Sequence, residues 1–194
     1  MDDFLRNFME GLVHVLDINA YDHILFIILM AVPFLFNSWK KLVWLVTAFT
    51  VGHSMSLLLA VYGIVTVGTT YIEFLIPVTI AVAALYNIFM AGKRQSKETP
   101  WLLVSTALFF GLIHGFGFSG AFKMLASSGE NTLSLLAEFA LGIEAAQLLI
   151  VLFVLIINFI FTGLFRFNKK EWIQIISAIV FGIIVPMLAE RWLW

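Results

Sequence analysis

The chain has no cysteine among its 194 residues, and only 12% of its residues are charged. The absence of cysteine excludes disulfide bonds, thiolate metal ligands and cysteine nucleophiles, so nitrogen and oxygen atoms must hold any metal. A soluble domain carries about 25% charged residues, so the low charged fraction argues against an ordinary soluble protein. The net charge of −1 gives no indication of nucleic-acid binding. The sequence also lacks an internal repeat and any low-complexity segment.

Hydrophobic residues are abundant instead, at 62% of the chain, and the mean hydropathy is +1.03. A run of about 20 apolar residues is long enough to cross the hydrocarbon core of a bilayer. The sequence therefore predicts an all-α membrane bundle, a single domain over 1–194, with six spans at about 20–36, 42–65, 71–91, 100–124, 133–165 and 172–193. The fifth run exceeds about 30 residues, so we expect it to tilt, kink or protrude from the membrane.

The segment before the first span, about 2–17, has an amphipathic helical pattern. Apolar residues recur at helical spacing along one side of this helix, and polar residues occupy the opposite side. The apolar residues are Leu5, Phe8, Met9, Leu12, Val13 and Leu16. Such a helix is long enough to lie in the membrane interface. The alternative is a simple extension of the first span. The chain opens with Met1-Asp2-Asp3 and not with basic residues, so a cleaved signal peptide is not expected.

The basic residues predict the orientation of the bundle. Of the 11 lysines and arginines, eight fall in the loops that follow the first, third and fifth spans, and three lie on the opposite side. Basic loops stay on the cytoplasmic side, so we expect both termini outside and a multi-pass protein of the cytoplasmic (inner) membrane. The eight are Lys40, Lys41, Lys93, Arg94, Lys97, Arg166, Lys169 and Lys170, and the three are Arg6, Lys123 and Arg191.

Three histidines, His23, His53 and His114, lie inside three different predicted spans. An ionisable side chain at mid-membrane costs roughly 2.5–3.5 kcal/mol, so such residues usually face one another and serve a function. At about 1.5 Å per residue, His53 and His114 lie near the middle of their spans and His23 lies in the outer half. These overlapping depths predict that the three rings converge within a few ångströms. For each histidine alone, the alternative is a hydrogen bond to a neighbouring helix.

Two carboxylates and a fourth histidine are further candidates. A carboxylate halfway along an apolar helix needs a proton or a cation, so we interpret Glu144 as a metal ligand or cation relay. Replacing it by glutamine is predicted to lower metal affinity or activity strongly. Asp22 is either a metal ligand or an acceptor for an imidazole N–H. His14 lies on the amphipathic segment and is also a candidate metal ligand, but its replacement is expected to do less.

These residue types indicate a metal site. Neutral imidazole binds zinc, copper, nickel and iron, and three imidazoles with a carboxylate match catalytic zinc sites and nitrogen–oxygen nickel sites. We therefore expect a divalent metal ion, nickel or zinc. The roles of Glu73, Asn87 and Gln147 stay open. Gly111 and Gly115 form a G-x-x-x-G pair, which permits close approach of a neighbouring helix.

Several short motifs occur together and in order between residues 11 and 147. They are GLVH at 11–14, DHILF at 22–26, FTVGHS at 49–54, FGLIHGFGF at 110–118 and GIEAAQ at 142–147. In this combination the chain resembles the HupE/UreJ membrane proteins. The resemblance implies a nickel permease or an accessory protein for hydrogenase and urease maturation, hence divalent-metal handling and partners among metalloenzyme maturation proteins.

Two functions fit these observations, and the sequence does not decide between them. A carrier would hold the ion transiently near mid-membrane and open the site to each face in turn. An intramembrane zinc-dependent hydrolase would use a metal-bound water, with Asp22, Ser54 and Glu144 as catalytic candidates, on an amide or ester of a lipid or lipoprotein. A metal-binding sensor or assembly factor is a third possibility. Whether the chain is an enzyme is therefore left open.

Overall fold

A computed structural model describes residues 3–93, 100–127 and 131–193, and all regular structure within them is helical. This confirms the predicted all-α bundle. Asp2 of the amphipathic segment and Arg94 and Lys97 of the orientation argument lie outside the described residues. Seven α-helices follow one another in the described part: α1 (Asp3–Leu16), α2 (Asp22–Ala31), α3 (Trp39–Val61), α4 (Thr69–Met90), α5 (Pro100–Ala126), α6 (Thr132–Asn158) and α7 (Lys169–Glu190).

Five of these helices, α3 to α7, are long and apolar enough to cross a membrane. The shortest of them has 22 residues, which corresponds to about 33 Å at 1.5 Å per residue. That length matches a hydrocarbon core of about 30 Å. The chain is thus a multi-pass membrane protein.

The first predicted span, 20–36, takes a different form. Its helix α2 has only 10 residues, and a helix of that length rises about 15 Å, half of the hydrocarbon core. The helix ends before Pro33, which cannot donate a helical hydrogen bond. Beyond the end of the helix, the Asn158 side-chain Nδ2 donates to the carbonyl oxygens of Val32 at 3.1 Å and Phe34 at 3.0 Å. This buried amide satisfies backbone groups that the short helix leaves free.

The over-long fifth predicted span contains an irregularity, as expected from its length. Helix α6 continues as a π-helical segment, Phe159–Leu164, and the two together have 33 residues. π-helical turns occur where a long helix departs from regular geometry. The excess length is accommodated in this way at the end that is predicted to be cytoplasmic.

Helix α1 packs directly on α6 through two glycines. A Cβ on Gly11 would overlap the carbonyl oxygen of Phe139, and a Cβ on Gly142 would overlap that of Phe8. The two backbones are therefore closer than any other residue type at these positions would allow. Consequently one face of the amphipathic helix is buried against the bundle.

The closest contact between long helices joins α3 and α5. A Cβ on Gly111 would overlap the carbonyl oxygen of Phe49 and lie 3.1 Å from the amide nitrogen of His53. A Cβ on Gly115 would overlap the carbonyl oxygen of His53. These contacts confirm the close approach predicted from the G-x-x-x-G pair. They also place the helix that carries His114 against the helix that carries His53.

Side-chain hydrogen bonds to backbone carbonyls join helix α4 to its neighbours. Pro77 lies inside α4, and because proline has no N–H it leaves the carbonyl of Glu73 without its helical donor. Arg191 Nη1 donates to this Glu73 oxygen at 3.3 Å. The Asn87 side-chain Nδ2 donates to the Leu29 carbonyl oxygen at 2.8 Å, which joins α4 to α2. Asn87 thus contributes to helix packing.

Candidate metal centre

Four histidines from four helices meet inside the bundle. They are His14 on α1, His23 on α2, His53 on α3 and His114 on α5. The ring centroid of His23 lies 4.7 Å from that of His14, 5.7 Å from His53 and 5.2 Å from His114. The rings of His14 and His53 are 5.5 Å apart. The structure therefore places His23 in contact with each of the other three rings.

Three of these residues bring their ligand atoms especially close. One ring nitrogen from each of His14, His23 and His53 lies within 4.8 Å of the other two. Metal–nitrogen bonds are about 2.0–2.1 Å long, so two nitrogens on one ion are at most about 4.2 Å apart. Any two of these nitrogens that are more than about 4.2 Å apart must therefore move slightly closer together to bind one ion. We refer to these three residues as the histidine triad.

Hydrogen bonds orient two of the rings and select the tautomer of each. His23 Nδ1 lies 3.0 Å from the Asp22 carboxylate, and His114 Nδ1 lies 2.9 Å from the Phe110 carbonyl oxygen. Both partners can only accept, so Nδ1 is the donor and the lone pair of the neutral ring is at Nε2. This is the arrangement that orients histidines in metal sites.

Five other ring nitrogen atoms of the cluster are buried without a hydrogen-bond partner among the described residues. Within the described part of the chain, four buried Nε2 atoms and one buried Nδ1 atom make no hydrogen bond: Nε2 of His14, His23, His53 and His114, and Nδ1 of His53. Buried polar atoms are normally hydrogen-bonded, because an unpaired one carries a desolvation penalty. Lone pairs that converge without donors between them fit a bound cation.

The Asp22 carboxylate is hydrogen-bonded to His23. Its Oδ1 accepts from both the backbone N–H of His23 at 2.8 Å and the ring Nδ1 at 3.0 Å. Asp22 is also the first residue of α2, where the positive end of the helix stabilises a carboxylate. A 3₁₀ turn at Ile18–Ala20 precedes the helix. The geometry matches the second of the two interpretations of Asp22, an acceptor for an imidazole N–H.

The charge state of His14 also suits metal binding. This residue lies on α1, outside the five long helices. Burial lowers the pKa of His14 well below its usual value, and the nearby His23 lowers that pKa further. His14 is therefore neutral near pH 7, which is the form of imidazole that binds metal ions. Asp22 supplies negative charge beside these rings.

Phenylalanine rings enclose the cluster. Phe118 lies 3.9 Å from the His14 ring between centroids. At the other end, Phe49 lies 5.2 Å and Phe26 lies 5.4 Å from the His114 ring. Apolar walls keep water away from the nitrogen atoms and strengthen electrostatic interactions within the site.

Glu144 lies in a separate group of contacts between α3 and α6. Thr47 Oγ1 donates to Glu144 Oε1 at 2.6 Å, and Thr50 Oγ1 donates to Gln147 Oε1 at 3.1 Å. Thr50 and Thr47 lie about one and two turns before His53, towards the end predicted to be cytoplasmic. The close group of ligand atoms among the described residues does not include Glu144. We refer to these four residues as the α3–α6 polar contacts.

Of the three catalytic candidates of the hydrolase interpretation, Asp22 alone is hydrogen-bonded to a cluster histidine among the described residues. Asp22 binds His23, and Glu144 binds Thr47. The Ser54 hydroxyl is buried and has no hydrogen-bond partner among the described residues. Sequence reasoning missed Thr47, although Thr47 and Thr50 recur at a helical interval before His53 on the same apolar helix.

Comparison of the chain with known protein families is compatible with the histidine cluster. The profile of the family described as HupE / UreJ protein matches residues 1–193. No curated protein and no solved structure matches the chain. The matched range contains all four histidines and confirms the resemblance seen in the short motifs. The family is associated with nickel or metal transport or an accessory role, with which the histidine cluster is compatible. The chain is thus a multi-pass membrane protein that belongs to the HupE / UreJ protein family.

Proposed function

We propose that this protein carries a divalent metal ion, with nickel as its main cargo, through the cytoplasmic (inner) membrane. The histidine triad would hold the ion, and His114 would be its fourth neighbour. The observation that carries the proposal is the meeting of four histidine rings from four helices, whose Nε2 atoms are buried and unpaired among the described residues. Because each ligand comes from a different helix, a relative movement of the helices can open the site and release the ion.

The ligand type supports the choice of metal class. Imidazole nitrogen suits nickel, copper and zinc, whereas magnesium and calcium take oxygen ligands. The chain has no cysteine, so the thiolates that select copper(I) and build closed structural zinc sites are absent. A site built of neutral imidazoles with Asp22 behind one of them can hold a nickel or zinc ion and still exchange it.

The α3–α6 polar contacts provide a path for the ion away from the histidines. Thr50 and Thr47 extend from His53 along α3, and each contacts a polar side chain of α6. Polar groups inside a membrane bundle commonly mark such an ion path. In this proposal Glu144 and Thr47 offer oxygen ligands to the ion after it leaves the histidines.

The test is metal binding and uptake by the purified chain. We expect one Ni²⁺ per chain in equilibrium binding, and saturable Ni²⁺ uptake when the protein is reconstituted into liposomes. Failure to bind either Ni²⁺ or Zn²⁺ would reject the metal site. Stoichiometric zinc that survives a chelator wash, together with absent uptake, would reject the carrier and favour the intramembrane hydrolase.

Glu144→Gln should separate binding from movement. We expect the affinity for Ni²⁺ to stay within about threefold of the original, because Glu144 is outside the histidine triad. Uptake should fall by about tenfold, equivalent to about 1.4 kcal/mol, because the charge beside Thr47 is lost.

The control for Glu144→Gln is Glu73→Gln, which removes the same charge from an exposed position on α4. This control should leave both binding and uptake unchanged. Equal losses of affinity and uptake in Glu144→Gln would place Glu144 among the ligands of the bound ion. Unchanged Ni²⁺ uptake in Glu144→Gln would show that Glu144 is not part of the ion path.

Asp22→Asn should weaken metal binding by about 10–100-fold, the range seen when the partner of a metal-bound histidine is replaced. The amide keeps the shape of the carboxylate but loses the charge that raises the basicity of His23. The measurement is competition for Ni²⁺ against a chelating dye, with the melting temperature of the metal-free protein as a check on folding.

Asp17→Asn is the matched control for Asp22→Asn. Asp17 lies five residues earlier and accepts from the backbone N–H of Asn19 at 2.9 Å, so its contacts are confined to the turn before α2. Its replacement should leave the affinity for Ni²⁺ unchanged. If both variants bind Ni²⁺ as well as the original protein does, Asp22 has no part in the metal site.

A further inference from the structure

A groove opens at the end of the bundle that is predicted to face the cytoplasm. It lies between the beginnings of α3, α5 and α7 and has a volume of about 560 Å³. Two lysines, Lys41 and Lys169, line it together with Asn37 and Ser38. We call it the basic groove. It is separate from the histidine cluster, and the proposed metal function does not use it.

The mouth of the basic groove has the features of a membrane interface. Trp44 and Trp101 line it, and their exposed fractions are 70% and 81%. Tryptophan is enriched at the level of lipid headgroups. Neither Lys41 nor Lys169 forms an ion pair with a carboxylate of the described residues. The groove therefore offers two positive charges at headgroup depth.

An apolar cavity continues from the basic groove into the bundle. Its volume is about 340 Å³, and it extends between α2, α4 and α5. Its walls are mostly apolar, and Phe26 and Phe110 lie among them. The two spaces have four lining residues in common: Pro33, Phe34, Leu45 and Leu103. A basic mouth thus adjoins an apolar cavity.

We propose that the basic groove and this cavity together bind an anionic phospholipid. The phosphate would lie between Lys41 and Lys169, and an acyl chain would fill the apolar cavity. Basic pockets between membrane helices on the cytoplasmic side attract anionic headgroups. Free phosphate would use only the mouth and would leave the apolar walls without a partner. The combination of charge and apolar depth therefore selects a lipid.

The lipid would touch the wall of the histidine cluster. The Phe26 ring lies 5.4 Å from the His114 ring, and the Phe110 carbonyl oxygen accepts from His114 Nδ1. An acyl chain in the cavity would hold these residues in place. Lys41 precedes His53 by twelve residues on α3, about 18 Å along the helix axis. The ester groups of the lipid would thus lie far from the histidines, so the lipid is a bound ligand and not a substrate.

The experiment compares lipid binding to the full chain purified in detergent. The probes are phosphatidylglycerol and phosphatidylcholine with identical acyl chains, and the readouts are lipid retained in native mass spectrometry and the shift in melting temperature. We expect phosphatidylglycerol to bind more tightly. The double variant Lys41→Gln/Lys169→Gln should lower its affinity by about tenfold or more. Lys41→Arg/Lys169→Arg, which keeps the charge, should retain most of the affinity for phosphatidylglycerol.

The matched control is Lys40→Gln/Lys170→Gln. These lysines are the sequence neighbours of the groove lysines, and neither lines the groove. The control removes the same charge from the same helices, so it should change the affinity by less than about threefold. Equal losses in the two glutamine variants would show general electrostatic attraction and would overturn the site. Equal affinity for phosphatidylglycerol and phosphatidylcholine would also overturn the site.

Two further experiments test whether the bound molecule is a lipid and not free phosphate. Ala83→Phe fills part of the apolar cavity and should lower phosphatidylglycerol affinity with unchanged helix content, since Ala83 lines that cavity and is only partly buried. Unchanged affinity in this variant would contradict binding of the acyl chain. Displacement of phosphatidylglycerol by millimolar inorganic phosphate would show that the mouth binds anions alone and would reject the lipid.

Discussion

His53→Ala should lower the affinity of the purified protein for Ni²⁺ by at least about a hundredfold, equivalent to about 2.7 kcal/mol. His53 is fully buried, and its ring lies 5.5 Å from His14 and 5.7 Å from His23. Without it the histidine triad retains two ligands. Folding should suffer less than binding, because the ring makes no hydrogen bond to the described residues and its removal also removes buried unpaired atoms.

The measurement for His53→Ala is Ni²⁺ titration together with melting temperature, with and without metal. An ion that binds only the folded protein raises its melting temperature, and the variant should lose this rise. Leu57→Ala is the control, because Leu57 is also fully buried on α3 but belongs to the apolar core. It should unfold at a lower temperature and still bind Ni²⁺. Stoichiometric Ni²⁺ in His53→Ala would show that the histidine cluster is not the metal centre.

The long helices could be predicted because a membrane span needs only length and hydrophobicity. The apolar runs predicted α3 to α7, and the excess length of the fifth run predicted an irregular segment. Pro33 marks the end of α2 in the sequence, but the side chain that satisfies the carbonyls beyond this end is Asn158, which lies more than a hundred residues away in the sequence. An apolar run does not show which distant amide will satisfy the carbonyls of Val32 and Phe34.

The position of His14 shows a second limit of the sequence. The amphipathic pattern predicts that this segment lies in the membrane interface, so from the sequence His14→Ala is expected to do less than Glu144→Gln. The structure packs α1 on α6 through Gly11, which lies one turn before His14 on the same helix. His14 is thereby brought into the histidine triad, and we now expect its replacement to weaken binding as much as that of His23. The glycine spacing was a signal for this contact.

Glu144 shows the opposite case. Its depth along α6 was predicted from the rise per residue, and that depth overlaps those of the histidines. Depth does not determine the direction in which a side chain points around the helix axis, which depends on how the helices are arranged. In the structure the carboxylate contacts Thr47 instead of the rings. Residues that share a depth in several helices are therefore candidates for one site, and only the packing selects among them.

Gly111→Ala tests the packing that positions the histidines. The new Cβ would overlap the Phe49 carbonyl oxygen, 2.9 Å from the Phe49 carbonyl carbon and 3.1 Å from the His53 nitrogen. These are backbone atoms, so no side-chain rotation relieves the overlap and α3 must move away from α5. Close packing is a main source of helix association in membranes. We expect the free energy of unfolding to fall by about 1–3 kcal/mol or more.

A lower melting temperature and weaker Ni²⁺ binding should therefore appear together in Gly111→Ala, because the displaced helices carry His53 and His114. The control is Gly120→Ala on the same helix, where the new Cβ has nothing within 4 Å. Alanine favours the helix by up to about 1 kcal/mol over glycine, so this control should be at least as stable as the original protein. If the two variants unfold at the same temperature and bind Ni²⁺ equally, the contact of Gly111 with Phe49 does not position the site. A loss confined to Gly111→Ala would show that the metal centre depends on the backbone approach of α3 and α5, which only glycine permits.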